Sequence, residues 1–297
     1  MNNTGVCGLF TSMYYLISAS VAYFTVAIGD SFNIKLNTSL FRSLSGCISS
    51  FLSGFLIIAV YFLSGRRKSF YKTCFKRPRL SFSLKLIPVS IAVWLCGTFL
   101  NMVINRLAYN FFDMTPVSQL ASSSSGKIYV LNFLYVCIIA PVSEEMFFRG
   151  ALVDSAEEYG AEFAVVISSV MFAFAHSSVT VLGLPLVMGI VSAIVLIKTG
   201  CIFYCIMIHT LCNGVSFVIS VLPQSEQFYF AENLLVLVCG SIITICTVIR
   251  RRKNIAEFFK NVFVQSGKYF SHSSEIISLA AIVLYYIYSN YSLHFIE

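Results

Sequence analysis

The decisive stretch of this chain is residues 128–149, which read IYVLNFLYVCIIAPVSEEMFFR. No charged side chain occurs before Glu144, and the stretch then ends on two glutamates and an arginine. A helix that crosses a bilayer core of roughly 30 Å needs about 20 apolar residues. The pattern therefore predicts a membrane-spanning helix whose last turns hold charged groups.

The composition of the whole chain agrees with that prediction. Of its 297 residues, 58% are hydrophobic and 11% are charged, whereas a soluble domain is about 25% charged. We predict an all-α, polytopic transmembrane bundle of about eight spans, with a weaker ninth candidate at 276–290. The eight lie near 6–28, 46–65, 86–105, 128–149, 161–177, 179–197, 201–222 and 233–249.

The net charge of +7 comes largely from short basic clusters between apolar runs. The two strongest clusters lie in residues 66–79 and 250–253. Loops rich in Lys and Arg stay on the cytoplasmic side of a membrane, and six predicted spans separate the two clusters. We therefore predict a multi-pass integral membrane protein with a cytoplasmic N-terminus, membrane lipids as partners and no nucleic-acid partner.

Six polar residues interrupt the predicted spans and are the candidate site. An ionisable residue at the bilayer centre costs about 2.5–3.5 kcal/mol on insertion scales, so such residues persist where they face a cavity or a partner. Two pairs have the i,i+4 spacing that places side chains on one helix face. The six are Glu144, Glu145, Arg149, His176, His209 and Asn213.

The position of Gly160 predicts where two of these residues lie. Glu144 is sixteen residues before Gly160 and His176 is sixteen residues after it. If the chain turns at Gly160, both lie about 24 Å from the turn at 1.5 Å per residue. The spacing thus predicts that Glu144 and His176 share one level inside the membrane.

These residue types favour hydrolysis of a peptide bond, with other interpretations open. A carboxylate in a dry site can act as general base, a histidine can orient water or bind a metal, and an amide can stabilise an oxyanion. The same groups would fit proton relay in a transporter. Hydrogen bonding between helices, or an interfacial charge cluster, would also account for each motif alone.

The three motifs together resemble the signature of the type II CAAX prenyl endopeptidases of the CPBP (Abi) family of intramembrane proteases. They are Glu144-Glu145-x-x-x-Arg149, Phe172-x-x-x-His176 and His209-x-x-x-Asn213, within residues 128–222. The resemblance implies an all-helical intramembrane endopeptidase that acts on a prenylated protein or another membrane-associated peptide. It implies site roles as well: Glu144 would activate water with His176, His209 and Asn213 would bind the oxyanion, and Glu145 and Arg149 would order the site.

The resemblance leaves the cofactor open between zinc and a metal-free glutamate mechanism. Glu144, His176 and His209 would be the zinc ligands, because catalytic zinc commonly has three protein ligands. We favour the metal-free mechanism, since an amide one turn from His209 suits an oxyanion site better than a zinc shell.

We divide the chain into three parts. Residues 1–127 hold N-terminal spans and a basic cytoplasmic loop, residues 128–222 form the core that resembles the protease family, and residues 223–297 hold one or two further spans and a basic segment. Within the last part, 254–272 could be an interfacial amphipathic helix or a solvated connector. The main alternative to an enzyme is a non-catalytic membrane regulator or bacteriocin-immunity partner.

Overall fold

The computed structural model describes residues 6–32, 39–61, 63, 76–113, 126–176, 178–222 and 225–270. These residues form an all-α bundle and contain no strand. We label its eight helices in chain order. They are α1 (Val6–Ser31), α2 (Ser39–Tyr61), α3 (Leu80–Phe112), α4 (126–156), α5 (Ala161–Phe174), α6 (Gly183–Thr199), α7 (Ile202–Val221) and α8 (226–270).

Two of the helices contain wider turns with i→i−5 hydrogen bonding. In α4 these π-helical turns cover Tyr135–Ile139 and Met146–Val153, on either side of the two glutamates. In α8 the π-helical turn covers Val236–Gly240. Such turns are rare in α-helices and often occur at functional sites, and those of α4 bracket the candidate site.

Among the described residues, five helices are long and apolar enough to cross a membrane by length and composition. They lie within Ser12–Ser31, Leu80–Phe112, Tyr129–Ala156, Ile202–Val221 and Glu226–Gly267. The chain is an integral membrane protein. Helices α5 and α6 are apolar but shorter, with 14 and 17 residues. They pack closely, because a Cβ on Gly189 of α6 would lie 3.0 Å from the Cα of Ser169. The predicted spans at 161–177 and 179–197 are therefore a short inner pair.

Several predicted boundaries were wrong. The span predicted at 46–65 begins earlier, as helix Ser39–Tyr61. Residues Val179–Val181 form a 3₁₀ turn, and α6 begins only at Gly183. The span predicted at 233–249 is part of the longer α8, which continues through Phe270. The candidate at 276–290 lies outside the described residues.

The continuation of α8 makes residues 254–270 helical, so the solvated-connector interpretation of 254–272 was wrong up to Phe270. The interfacial position of this helix stays a prediction. Arg and Lys are good helix formers, so the basic residues 250–253 extend the helix instead of ending it. The far half of α8 then packs on the turn between α4 and α5. Tyr269 is buried and its ring lies 5.3 Å from that of Tyr159 and 4.9 Å from that of Phe163.

The turn between α4 and α5 is made at Gly160, whose φ of 139° is a conformation that glycine adopts readily. The first turn of α5 is capped from α8, where Gln265 Oε1 accepts from the Phe163 backbone N–H at 2.9 Å. The Glu162 carboxylate accepts from Asn261 at 2.9 Å and from Gln265 at 2.7 Å. One backbone donor that the helix start leaves unpaired, the Phe163 N–H, is thus satisfied by a helix far along the chain.

The two arms of this hairpin run level with each other. Phe148 lies twelve residues before Gly160 and Phe172 twelve residues after it, and their rings are 5.1 Å apart in an edge-on contact. Residues equally far from Gly160 therefore lie side by side at Phe148 and Phe172. These two are one helical turn nearer to Gly160 than Glu144 and His176.

Other helices enclose the hairpin. Tyr14 of α1 stacks on Phe147 of α4, with ring centroids 4.5 Å apart. Trp94 of α3 donates from its indole nitrogen to Ser216 Oγ of α7 at 2.9 Å. The core thus combines helices from the whole described chain.

Candidate active site

Glu145 and Arg149 form a fully buried ion pair on α4. Neither side chain has any exposed area, and Glu145 Oε2 lies 3.1 Å from Arg149 Nε without the alignment of a hydrogen bond. Their i,i+4 spacing puts both on one face of the helix. The predicted neighbours do lie together.

His209 of α7 lies between the two glutamates. Its Nδ1–H donates to Glu145 Oε1 at 2.9 Å, because a carboxylate only accepts. Its Nε2 lies 3.9 Å from Glu144 Oε2. That separation is too long for a direct hydrogen bond and suits one bridging water.

Glu144 is the accessible member of this group. Its side chain is 17% exposed, whereas that of His209 is 1% exposed and that of Glu145 is fully buried. Adjacent helical residues differ by about 100° in direction, so the two glutamates have separate surroundings. Glu145 belongs to the protein interior, whereas Glu144 keeps a partly exposed side chain.

Phe172 of α5 is the packing centre of the site. Its ring is fully buried and lies edge-on to the rings of His176 at 5.1 Å and His209 at 5.4 Å. The Arg149 guanidinium carbon lies 4.4 Å from the same ring, in the geometry of a cation–π contact. One aromatic ring therefore positions residues from all three motifs.

His176 lies just beyond the end of α5, which stops at Phe174. Its Nδ1–H donates to the Phe172 carbonyl at 3.0 Å. That bond places the imidazole back over its own helix end, and Nε2 is the nitrogen that carries the lone pair in this tautomer.

Asn213 has a partner different from the one its motif suggested. Its amide nitrogen donates to the backbone carbonyl of Val136 on α4, at 2.8 Å. Asn213 is one turn beyond His209, so two polar contacts join α7 to α4, one through His209 to the glutamates and one through Asn213 to Val136.

The zinc interpretation needs three ligands gathered around one point. Within the described ranges, no group of three or more His, Cys, Asp or Glu side chains is arranged to hold a metal ion. His209 and His176 each use Nδ1 in a hydrogen bond within the protein, as metal-binding histidines also do, so only the arrangement of the three side chains counts against zinc. These residues as they lie do not form a three-ligand zinc set.

Sequence reasoning missed three features of this site. It did not assign Glu145 as the partner of His209, it treated Phe172 only as part of a motif, and it gave Val136 no role. The first two depend on contacts between helices that spacing along one helix cannot reveal. For the third, Pro141 was a signal, because a proline inside a helix leaves a carbonyl without its donor.

The segment that holds the candidate site matches a known protein family. No curated protein and no solved structure matches the chain. Residues 126–215 match the family described as "Type II CAAX prenyl endopeptidase Rce1-like". All six candidate residues fall inside the matched segment, which is therefore similar to a family of CAAX-protease-like membrane endopeptidases.

Proposed function

We propose that this protein is an intramembrane endopeptidase that hydrolyses a peptide bond of a lipidated or membrane-associated peptide or protein. The observation that carries the proposal is the pairing of Glu144 with His209. A partly exposed carboxylate and an imidazole nitrogen lie 3.9 Å apart, which leaves a place for one water. The similarity of residues 126–215 to CAAX prenyl endopeptidases supports the same reaction class.

In the first step, Glu144 acts as general base. Its carboxylate takes a proton from the water as the water oxygen attacks the carbonyl carbon of the scissile peptide bond. The carbonyl π electrons move to oxygen and form an oxyanion. His176 lies beside Phe172. In this proposal it orients the water together with Glu144.

His209 stabilises the oxyanion by donating a hydrogen bond to it. The Glu145 carboxylate at Nδ1 stabilises an imidazolium, as the buried aspartate does in the serine-protease triad. In this proposal His209 carries a proton on both nitrogens before the reaction begins. It donates from Nε2–H to the oxyanion and keeps that proton throughout, in a site where burial strengthens the interaction. Arg149 balances the charge of Glu145 and keeps that carboxylate ionised.

The second step breaks the C–N bond. The oxyanion reforms the carbonyl, the leaving nitrogen takes the proton that Glu144 holds, and the products are a carboxylic acid and an amine. The acid then ionises. No covalent bond to the protein forms at any point.

The test is direct cleavage. The purified full chain in lipid nanodiscs is incubated with prenylated CAAX peptides, their unprenylated counterparts and peptide pheromone precursors, and mass spectrometry identifies any products. We expect a defined cut in at least one lipidated or membrane-bound peptide, and none with the Glu144→Gln protein. A folded wild-type chain that cuts none of them, or a cut that persists unchanged in Glu144→Gln, would contradict the proposal.

A further inference from the structure

The π-helical turn at Tyr135–Ile139 changes which backbone groups of α4 bond to each other. The Ala140 N–H donates to the Tyr135 carbonyl, which is the i→i−5 pattern of a π turn. In that register the next donor along the helix, the N–H of residue 141, would bond to the carbonyl of Val136.

Residue 141 is a proline and has no N–H. It therefore cannot supply that hydrogen bond, and the Val136 carbonyl loses its helical donor. An unpaired carbonyl in a membrane-spanning helix is costly even where it is only partly buried, so a replacement donor at this point has structural value.

Asn213 supplies the replacement. Its amide nitrogen donates to the Val136 carbonyl at 2.8 Å, over 77 residues of sequence. The side chain of Asn213 lies on the same face of α7 as His209, one turn away. The amide therefore attaches to α4 the helix face that presents His209 to Glu144 and Glu145.

We propose that Asn213 is a positioning residue: its amide takes the place of the N–H that Pro141 lacks and so holds His209 in register with the two glutamates. We call Asn213, Val136 and Pro141 the Asn213 latch. This inference rests on the proposed endopeptidase function for its kinetic effect. It differs from the role expected from the motif, in which the Asn213 amide binds the oxyanion.

The two roles predict opposite behaviour when the missing N–H is restored. Pro141→Ala gives α4 a donor at position 141, so the Val136 carbonyl no longer needs Asn213. If Asn213 acts through Val136, that change makes Asn213 dispensable. If Asn213 binds the oxyanion, the Val136 carbonyl is irrelevant and Pro141→Ala does not compensate for its loss.

The experiment is a double-mutant cycle on cleavage of whichever peptide the wild-type chain cuts. We expect Asn213→Ala to lower kcat/KM by about tenfold, the effect of leaving one partly buried acceptor unpaired, and to recover most of that loss when combined with Pro141→Ala. The matched control is Pro88→Ala, since Pro88 lies inside α3, away from the Val136 carbonyl. Combined with Asn213→Ala it should rescue nothing.

A second readout needs no substrate. Thermal unfolding of the same variants should reveal that Asn213→Ala lowers Tm in the wild-type background and has little effect in the Pro141→Ala background. A loss of activity of about 10²–10³-fold, the effect of removing an oxyanion donor, that is equal in both backgrounds would overturn the latch. Additive changes in Tm would overturn it too. A chain that cleaves nothing would refute the proposed function and leave the Tm cycle as the test of the latch.

Discussion

Two carboxylate clusters lie on the α4–α5 hairpin. One is partly buried and the other is fully buried, and their charges are satisfied in different ways. Glu162, near the Gly160 turn, accepts from the neutral side-chain amides of Asn261 and Gln265. Glu145 is paired with Arg149 and His209, with no exposed area on the carboxylate or the guanidinium.

The difference lies in what each cluster leaves unpaired. At Glu162, Gln265 donates to the carboxylate and accepts from the backbone N–H of Phe163. At the other cluster, Arg149 Nη1 and Nη2 and Glu145 Oε2 have no hydrogen-bond partner among the described residues. A buried ion pair of this kind adds little net stability. The Glu162 cluster thus joins α8 to the hairpin, whereas the Glu145 cluster is the one that the proposed function uses.

The largest expected effect is a difference in cleavage rate between a variant at the Glu145 cluster and a variant at the Glu162 cluster. Glu144→Gln keeps the shape of the side chain and removes the base, so cleavage should fall by about 10²–10⁴-fold. Glu162→Gln is the matched control on the same hairpin and should cleave close to the wild-type rate. Rates are measured by mass spectrometry on proteins that have equal unfolding temperatures. Equal losses in the two variants would mean that the clusters do not differ in function.

The next effect is a loss of unfolding free energy when the ion pair of the Glu145 cluster is broken. Arg149→Met removes the cation and leaves Glu145 buried beside a neutral side chain, which should cost about 3–5 kcal/mol of unfolding free energy. Adding Glu145→Gln removes the stranded charge and should restore part of that loss. The measurement is chemical or thermal unfolding in a fixed detergent. If the double variant is less stable than Arg149→Met alone, the carboxylate is not the source of the cost.

A smaller effect is expected at the Gly160 end. Gln265→Ala removes the acceptor for the Phe163 N–H and one donor to Glu162, which should cost about 1 kcal/mol, as losing a helix cap does. Cleavage by the folded protein should be unchanged. Ser266→Ala is a suitable control, since Ser266 bonds only within its own helix, to Phe263. A large fall in cleavage at an unchanged Tm would give the Glu162 cluster a role beyond structure.

The smallest expected effect concerns metal. Because no three-ligand group is arranged around Glu144 and the two histidines in the described residues, dialysis against a chelator should leave cleavage and Tm unchanged. Metal content is measured in the same samples. Inactivation that zinc reverses would mean that the three side chains move together when a metal binds.

The sequence predicted much of this molecule through properties that act along one helix. Apolar runs located eight helices, and i,i+4 spacing placed Arg149 beside Glu145. The equal sixteen-residue arms on either side of Gly160 pointed to the turn there.

What the sequence did not predict depends on contacts between helices. No sequence pattern near His209 indicates that it binds Glu145. None near Gln265 indicates that it caps a helix about a hundred residues earlier in the chain. The basic residues 250–253 suggested the end of a span. The helix continues beyond them because packing of Tyr269 against Tyr159 and Phe163 stabilises its far half.

The cap supplied by Gln265 has a consequence for biogenesis. Gln265 and the Phe163 N–H that it accepts from are 102 residues apart. At a synthesis rate of about 5–20 residues per second, the hairpin waits about 5–20 s after it leaves the ribosome before its cap exists. During that interval the Phe163 N–H at the start of α5 lacks its Gln265 acceptor. The order of synthesis thus delays completion of the hairpin until nearly all of the described chain has been made.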